Sequence, residues 1–288
     1  MILVTGAAGK TGQAVIRALR KRGADIRAFV HRQEHASAMH ALGVSDIFVG
    51  DLRDQQALAQ AMQGMPALYH IPPAVQSDEA EIGKSIIAAA QVAGVGYFVY
   101  HSVMHPQISA LIHHAQKLQV EDALIQSDLP FTILQPASYM QNMLGIWERI
   151  VQQGIYTTTY GMDARMSLVD LDDVAEVAAI VLTEDGHRYA TYELAGPEVL
   201  IAAQMAVTLE EKLGRPVIAE GMDIDQWEGN IRAAGMGEYS VTALAIMFRY
   251  YAQHGFTGNP HILASLLHRP PTAFAAFVER TMQQSAKG

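Results

Sequence analysis

The sequence predicts an α/β fold in which a doubly wound parallel sheet is joined to a smaller, mainly helical C-terminal lobe. Three observations carry this. Short β-branched runs alternate with amphipathic segments through the first half of the chain. A glycine-rich turn, Gly6-Ala7-Ala8-Gly9-Lys10-Thr11-Gly12, stands directly between the first strand-like run and the first helix-like one. After about residue 150 the alternation gives way to helical spacing. A repeated strand–helix–strand order places helices on both faces of a parallel sheet, the Rossmann-type arrangement.

The elements follow in order. Strands are predicted at 2–5, 25–30, 46–49, 67–71, 97–102 and 131–134, with helices at 11–22, 34–42, 55–62, 79–93 and 106–126 between them. In the first helix Val15, Ile16 and Leu19 share one face, Arg20 to Arg22 close the last turn, and Gly23 stands at the C′ position. Beyond residue 150, a strand at 165–169, a helix at 172–182 and a last sheet strand at 191–194 are expected. Helices at 201–213, 224–234, 240–254, 261–267 and 273–283 follow, punctuated by Gly214 to Pro216 and Gly258 to Pro260. The expected division is a dinucleotide-binding domain over 1–150, its sheet completed by about 172–195, and a substrate lobe over 151–288.

Of the 288 residues, 50% are hydrophobic and 17% charged, which is ample for a full core. Without cysteine the chain has no disulfide framework, thiolate ligand or cysteine nucleophile. The longest apolar runs fall short of the ~18 residues that a membrane span requires. Met1 leads straight into a strand-like run, so no signal peptide is expected and a cytoplasmic location is. The net charge of −9 is uneven: residues 1–150 carry −1 and the remainder −8. So acidic a second half argues against nucleic-acid binding. The basic cluster Arg17, Arg20, Lys21 and Arg22 reads as a solvated helix end. No HExxH pattern or other metal-ligand spacing occurs among the 12 histidines, and no metal is expected.

The glycine turn is the strongest chemical signal. Glycines let the backbone turn tightly and approach a pyrophosphate, which rests on the N–H groups opening the helix. Gly6, Ala8, Gly9, Lys10, Thr11 and Gly12 are therefore the expected dinucleotide loop. A Walker A reading of Gly9-Lys10-Thr11 fails, because the glycine it requires five residues earlier is Val4. After the second strand an NAD-binding chain would place an acidic residue; here His31-Arg32 follows. Arg32, with Lys10, can pair with a 2′-phosphate, so NADP (as NADPH) is favoured. Asp51-Leu52 follows the third strand, where Asp51 would either accept the adenine amino group or cap the next helix. Ile71 and Pro72 end the fourth strand, where the cofactor's ribose and nicotinamide should pass, and Ser102 at the end of the fifth joins the cofactor set.

These residues together resemble the NmrA-like branch of the atypical short-chain dehydrogenases/reductases. The resemblance also rests on Gly50-Asp51-Leu52, on Lys117 followed by Glu121, and on the stretches 129–136, 169–175, 195–198 and 267–272. Within the branch the chain looks most like bacterial NADPH-dependent quinone reductases and triphenylmethane-dye reductases. What the resemblance implies is hydride transfer to a quinone or similar conjugated aromatic acceptor. Other members are redox-sensing regulators, so a non-catalytic NADP(H) sensor acting through a protein partner stays open as the alternative, and the chain is expected as a monomer or homodimer.

The catalytic position departs from the wider superfamily, whose Tyr-xxx-Lys motif here reads His113-His114-Ala115-Gln116-Lys117. Lys117 keeps the ribose-holding role that the resemblance implies. Without the tyrosine, sugar epimerase or dehydratase chemistry is disfavoured. His113 shares a helical face with Lys117 and either acts as the acid or merely orders water and packs. After the sixth strand, Pro136, Ala137 and Tyr139 should pass the nicotinamide, and Tyr139 is the leading residue at the reaction centre. Asn142, Met143 and Trp147 are expected to continue from Tyr139 as a pocket-facing stripe. Tyr160 and Trp227, with Tyr156, Tyr250 and Tyr251, would supply an aromatic wall.

Overall fold

The computed structural model describes residues 1–285. Its strands are β1 (Ile2–Val4), β2 (Ile26–Val30), β3 (Asp46–Val49), β4 (Ala67–His70), β5 (Phe98–His101), β6 (Phe131–Pro136), β7 (Ile155–Thr158), β8 (Met166–Ser167), β9 (Ala190–Leu194), β10 (Val199–Leu200) and β11 (Ile218–Gly221). The helices are α1 (Lys10–Lys21), α2 (Ala36–Ala41), α3 (Gln55–Met62), α4 (Glu79–Ala93), α5 (Ile112–Ile125), α6 (Trp147–Gln153), α7 (Leu171–Thr183), α8 (Ala202–Leu213), α9 (Ile224–Ala233), α10 (Glu238–His254), α11 (His261–Leu267) and α12 (Phe274–Ser285).

The main sheet has seven strands in the order β3-β2-β1-β4-β5-β6-β9. The first six pair in parallel. β9 joins the edge through Tyr189 N to Phe131 O and Ala137 N to Leu194 O. Strand order reverses direction between β1 and β4, and at such a switch point the carboxyl ends of the strands open a crevice. This is the expected Rossmann-type sheet.

One face of the sheet is covered by α3, α4 and α5. Leu3, Leu68, Phe98, Tyr100 and Ile133 from the strands form a single buried cluster with Leu58, Ile86, Val120 and Leu124 from those helices. Val15, Ile16 and Leu19 of α1 are buried outside that cluster. Right-handed crossovers explain the division: the connection from β1 to β2 runs one way across the sheet and that from β4 to β5 the other.

The chain forms two compact units. The first comprises Met1–Ile108, His114–Gln135 and Asp172–Tyr192; the second comprises Ser109–His113, Pro136–Leu171 and Glu193–Gly288. In the second unit β7 pairs in parallel with β11 and β8 antiparallel with β10. Helix α8 packs on β7, β11 and α12, and α9 packs on α10. β7 and β11 were not anticipated; each is a four-residue piece whose partner lies about sixty residues away, so local alternation is too short to announce it.

Several boundaries differ from expectation for visible reasons. The helix expected from 106 begins at Ile112, because His105 takes a left-handed conformation (φ 54°) and the chain turns there through Ile108 N to His105 O. The strand expected over 165–169 contracts to Met166–Ser167. The segment Met140–Ile146 winds as a 3-10 helix. At three residues per turn Tyr139 and Asn142 fall in line while Met143 leaves it, so the continuous stripe from Tyr139 to Trp147 does not form; Met143 is buried and Trp147 opens α6.

Candidate cofactor and substrate sites

Apart from Lys117, midway along α5, the residues expected of a dinucleotide site in the first unit lie at the carboxyl ends of β1 to β5 or at the opening of the helices behind them. Gly6 adopts φ 61°, and a side chain there would press on Ile71 O at 2.9 Å. Gly9 N donates to Gly6 O at 3.0 Å and closes the turn. Gly12 sits under the turn: a Cβ would lie 2.3 Å from Gly6 O and 2.6 Å from Ala7 Cα, so only glycine lets the helix start this close to the strand. Gly9 caps α1 without any side-chain acceptor. The N–H groups of Lys10, Thr11 and Gly12 are therefore free of a side-chain cap, which suits them to an anion. These residues fit a dinucleotide pyrophosphate.

Past β2, Arg32 and His31 stand well exposed. Arg32 Nη1 lies 3.0 Å from Glu34 Oε1, and His31 Nε2 lies 4.0 Å from Asp51 Oδ2. Asp51 does not cap α3. The cap is Asp54, which accepts from Gln56 N and Ala57 N, whereas Asp51 Oδ1 accepts from Arg53 N at 2.9 Å. Leu52 packs against the core cluster. Arg53 also reaches across to Asp78 at 2.7 and 3.1 Å, tying the loop after β3 to the start of α4 and holding the Asp78 carboxyl below its usual range.

Ile71 and Pro72 are buried just past β4. Ile71 N donates to Thr5 Oγ1, which also contacts His70 Nδ1 at 2.8 Å. His101, at the end of β5, contacts the Tyr69 hydroxyl at 2.6 Å. Burial, and secondarily the positive charge of Lys117, push both histidines down to about 3, so they are neutral at working pH.

Helix α5 carries two charged side chains one turn apart, both turned into the protein. Lys117 Nζ lies 2.7 Å from Glu79 Oε1 at the start of α4, and both side chains are buried. Glu121 accepts from the Ser102 hydroxyl and from Gln135 Nε2, the latter at 2.9 Å to each oxygen. Burial raises both carboxyl pKa values; Lys117 opposes the shift at Glu79, and Ser102, Gln135 and Lys117 oppose it at Glu121. His113 lies half-buried in the first turn of α5.

Glu79, Gln116 and Arg53 escaped the reading of the sequence. An acidic residue opening a helix is ordinary, and Glu79 stands 38 residues from Lys117, so no spacing rule announces the pair.

In the second unit Pro136 ends β6, and Ala137 N donates to Leu194 O. Tyr139 bridges to Val169. Ser138 Oγ lies 3.1 Å from the Tyr160 hydroxyl, and Asn142 Nδ2 donates to the same Ser138 oxygen at 3.3 Å. Burial raises the Tyr160 phenol above its usual range, against the pull of these hydrogen bonds. Tyr160 meets Phe248 edge-on at 5.6 Å and Tyr251 at 5.9 Å, and Trp227 meets Phe248 at 4.9 Å. Tyr156 departs from this wall: it is buried, with its hydroxyl 3.2 Å from Met205 Sδ of α8. Among the described residues no group of three or more His, Asp or Glu side chains converges as a metal site, and no helix is long and apolar enough to cross a membrane.

The chain is similar to known proteins over most of its length. An NAD(P)H azoreductase of Xenophilus azovorans is 28% identical over 280 residues, covering 97% of both chains. A (4-alkanoyl-5-oxo-2,5-dihydrofuran-3-yl)methyl phosphate reductase of Streptomyces griseus is 33% identical over 244 residues, covering 83% of this chain and 82% of the relative. The crystal structure of an NADPH-dependent quinone oxidoreductase of Escherichia coli, complexed with NADPH, superposes with a TM-score of 0.86 at 27% identity, covering 98% of this chain and all of that one. The family match spans residues 1–287, and the chain belongs to the NmrA-like family.

Proposed function

We propose that this protein is an NADPH-dependent reductase acting on a quinone or a comparable conjugated aromatic acceptor. The observation that carries the reading is the anion cradle, in which Gly6 and Gly12 bring the uncapped start of α1 against the end of β1. Full-length similarity to chains named as NAD(P)H azoreductase and quinone oxidoreductase 2 supports it.

The N–H groups of residues 10–12 bind the pyrophosphate, while Arg32, with Lys10, meets the 2′-phosphate. Asp51 and Leu52 would lie at the adenine, and Lys117 would hold the nicotinamide ribose. Bound NADPH supplies the hydride that reduces the acceptor. The protein's part is to orient the two reactants and exclude water.

With histidine at 113, the tyrosine of the Tyr-xxx-Lys arrangement, which would protonate an alkoxide, is missing. A quinone tolerates that loss, because hydride addition leaves a resonance-stabilised phenolate that water protonates. In the second unit the hydroxyl and amide groups of Ser138, Asn142 and Tyr160 suit an acceptor oxygen, and the rings of Tyr160, Phe248 and Tyr251 suit its flat body.

The test is NADPH consumption over a panel of quinones, azo dyes and triphenylmethane dyes. Turnover with at least one class is expected. Tight NADPH binding with background turnover across the panel would replace the enzyme by a redox sensor.

A further inference from the structure

We infer that Glu79 is a positioning residue for Lys117, holding the ammonium where the nicotinamide ribose is bound; the inference rests on the ribose-holding role proposed above for Lys117.

The pair is costly in the place where it occurs. Glu79 is fully buried and the Lys117 side chain is 8% exposed, with Nζ and Oε1 2.7 Å apart. A buried ion pair is weak evidence for stability, since a well-packed apolar pair of similar volume is often as stable or more so. What such a pair does supply is a fixed location for a charge. Lysine ends in a compact ammonium on a four-carbon stem, which has no preferred direction until something holds it.

Glu79 is itself anchored on both sides. It is the first residue of α4, where the helix dipole favours a carboxylate. Ala80 N, the next donor along, is capped at 3.0 Å by Gln116 Oε1, the neighbour of Lys117 on α5. Asp78, the preceding residue, is clasped by Arg53. Two consecutive residues of α5 thus grip two consecutive residues of α4, Gln116 the backbone of Ala80 and Lys117 the side chain of Glu79.

The stoichiometry leaves room for a ligand. An ammonium carries three protons. One goes to Glu79, and Nζ makes no other hydrogen bond to the described residues. The remaining donors are aimed by the tether.

The experiment is a cycle of NADPH dissociation constants, read by fluorescence titration of the whole protein, for Glu79→Gln, Lys117→Met and the double variant. Each single substitution is expected to weaken binding by about ten-fold, the scale of one hydrogen bond to a charged group. The double variant should bind no worse than Lys117→Met alone. Losses that multiply in the double variant, or a Glu79→Gln variant that binds like the wild type, overturn the inference. A Lys117→Met variant with unchanged affinity overturns the ribose role of Lys117, and the inference falls with it. If Glu79→Gln fails to fold, because it leaves a buried ammonium without its partner, the double variant removes both charges. Comparison of that variant with Lys117→Met then decides: equal affinity supports positioning, and further loss assigns Glu79 a structural role.

Discussion

The side-chain amide of Gln135 lies 2.9 Å from both carboxylate oxygens of Glu121, and the Ser102 hydroxyl donates to the same carboxylate. All three groups are buried at the carboxyl ends of β5 and β6. Ser102 therefore spends its proton inward and offers a ligand only its oxygen lone pairs. Substituting Glu121→Ala strips two donors of their acceptor at once, at a cost of about 1–3 kcal/mol for each buried group left unsatisfied. Urea unfolding should show a lowered midpoint for Glu121→Ala and a smaller loss for Ser102→Ala. Equal midpoints for Glu121→Ala and wild type would refute the network.

Gly12→Ala tests the cradle. Its Cβ would stand 2.3 Å from Gly6 O and 2.7 Å from Ala7 O, and both obstacles are backbone, so the turn itself must move. NADPH affinity should fall by more than about ten-fold if, as proposed, the pyrophosphate meets the protein through that turn. Binding within a factor of about two of wild type would remove the turn from the site.

Arg32→Ala addresses cofactor choice. Arg32 is anchored by Glu34 at 3.0 Å and its side chain is 65% exposed, so its removal leaves the core untouched. NADPH affinity is expected to fall about ten-fold, while NADH affinity stays constant, because only NADPH carries the 2′-phosphate that a guanidinium pairs with. Parallel losses for the two cofactors would assign Arg32 elsewhere.

Stability should decline on mild acidification. His70 and His101 are held at about 3 and His114 at about 4, chiefly by burial, against about 6.5 in an unfolded chain. Between those values the unfolded chain binds more protons, so stability rises with pH up to about 6.5 and is lost as pH falls below it. Each histidine contributes a slope of up to about 1.4 kcal/mol per pH unit. Glu79 and Glu121, whose carboxyl pKa values are raised, work in the opposite direction above about 4.5 and reduce the net slope. Urea midpoints at about pH 7 and about pH 5 should differ, with the lower value at pH 5, and His70→Gln should narrow the difference. Identical midpoints in the wild type would contradict neutral burial.

The strand, glycine turn and helix proposed to hold the dinucleotide were legible because their signals are local. A strand, a turn of glycines and an amphipathic helix are contiguous in residues 2–21, and each is dictated by neighbours within a few positions. The basic pair after β2 is read in the same way, from its place behind one strand. Asp51 marks the limit of that kind of reading. Two aspartates three residues apart can each cap a helix, and only the path of the loop decided for Asp54. The 3-10 winding of 140–146 is likewise invisible to spacing, because a stripe counted at 3.6 residues per turn dissolves at three.

The sequence alone therefore settled the class of fold, the tight glycine turn between β1 and α1, and the absence of tyrosine at position 113. The folded chain decided which polar and charged groups answer one another: Glu79 for Lys117, Gln135 and Ser102 for Glu121, and Ser138 for Tyr160. The reason is physical. Periodicity and turn chemistry act over a few residues, whereas a buried charge takes its partner from whatever the packing of distant helices and strands brings within about three ångströms.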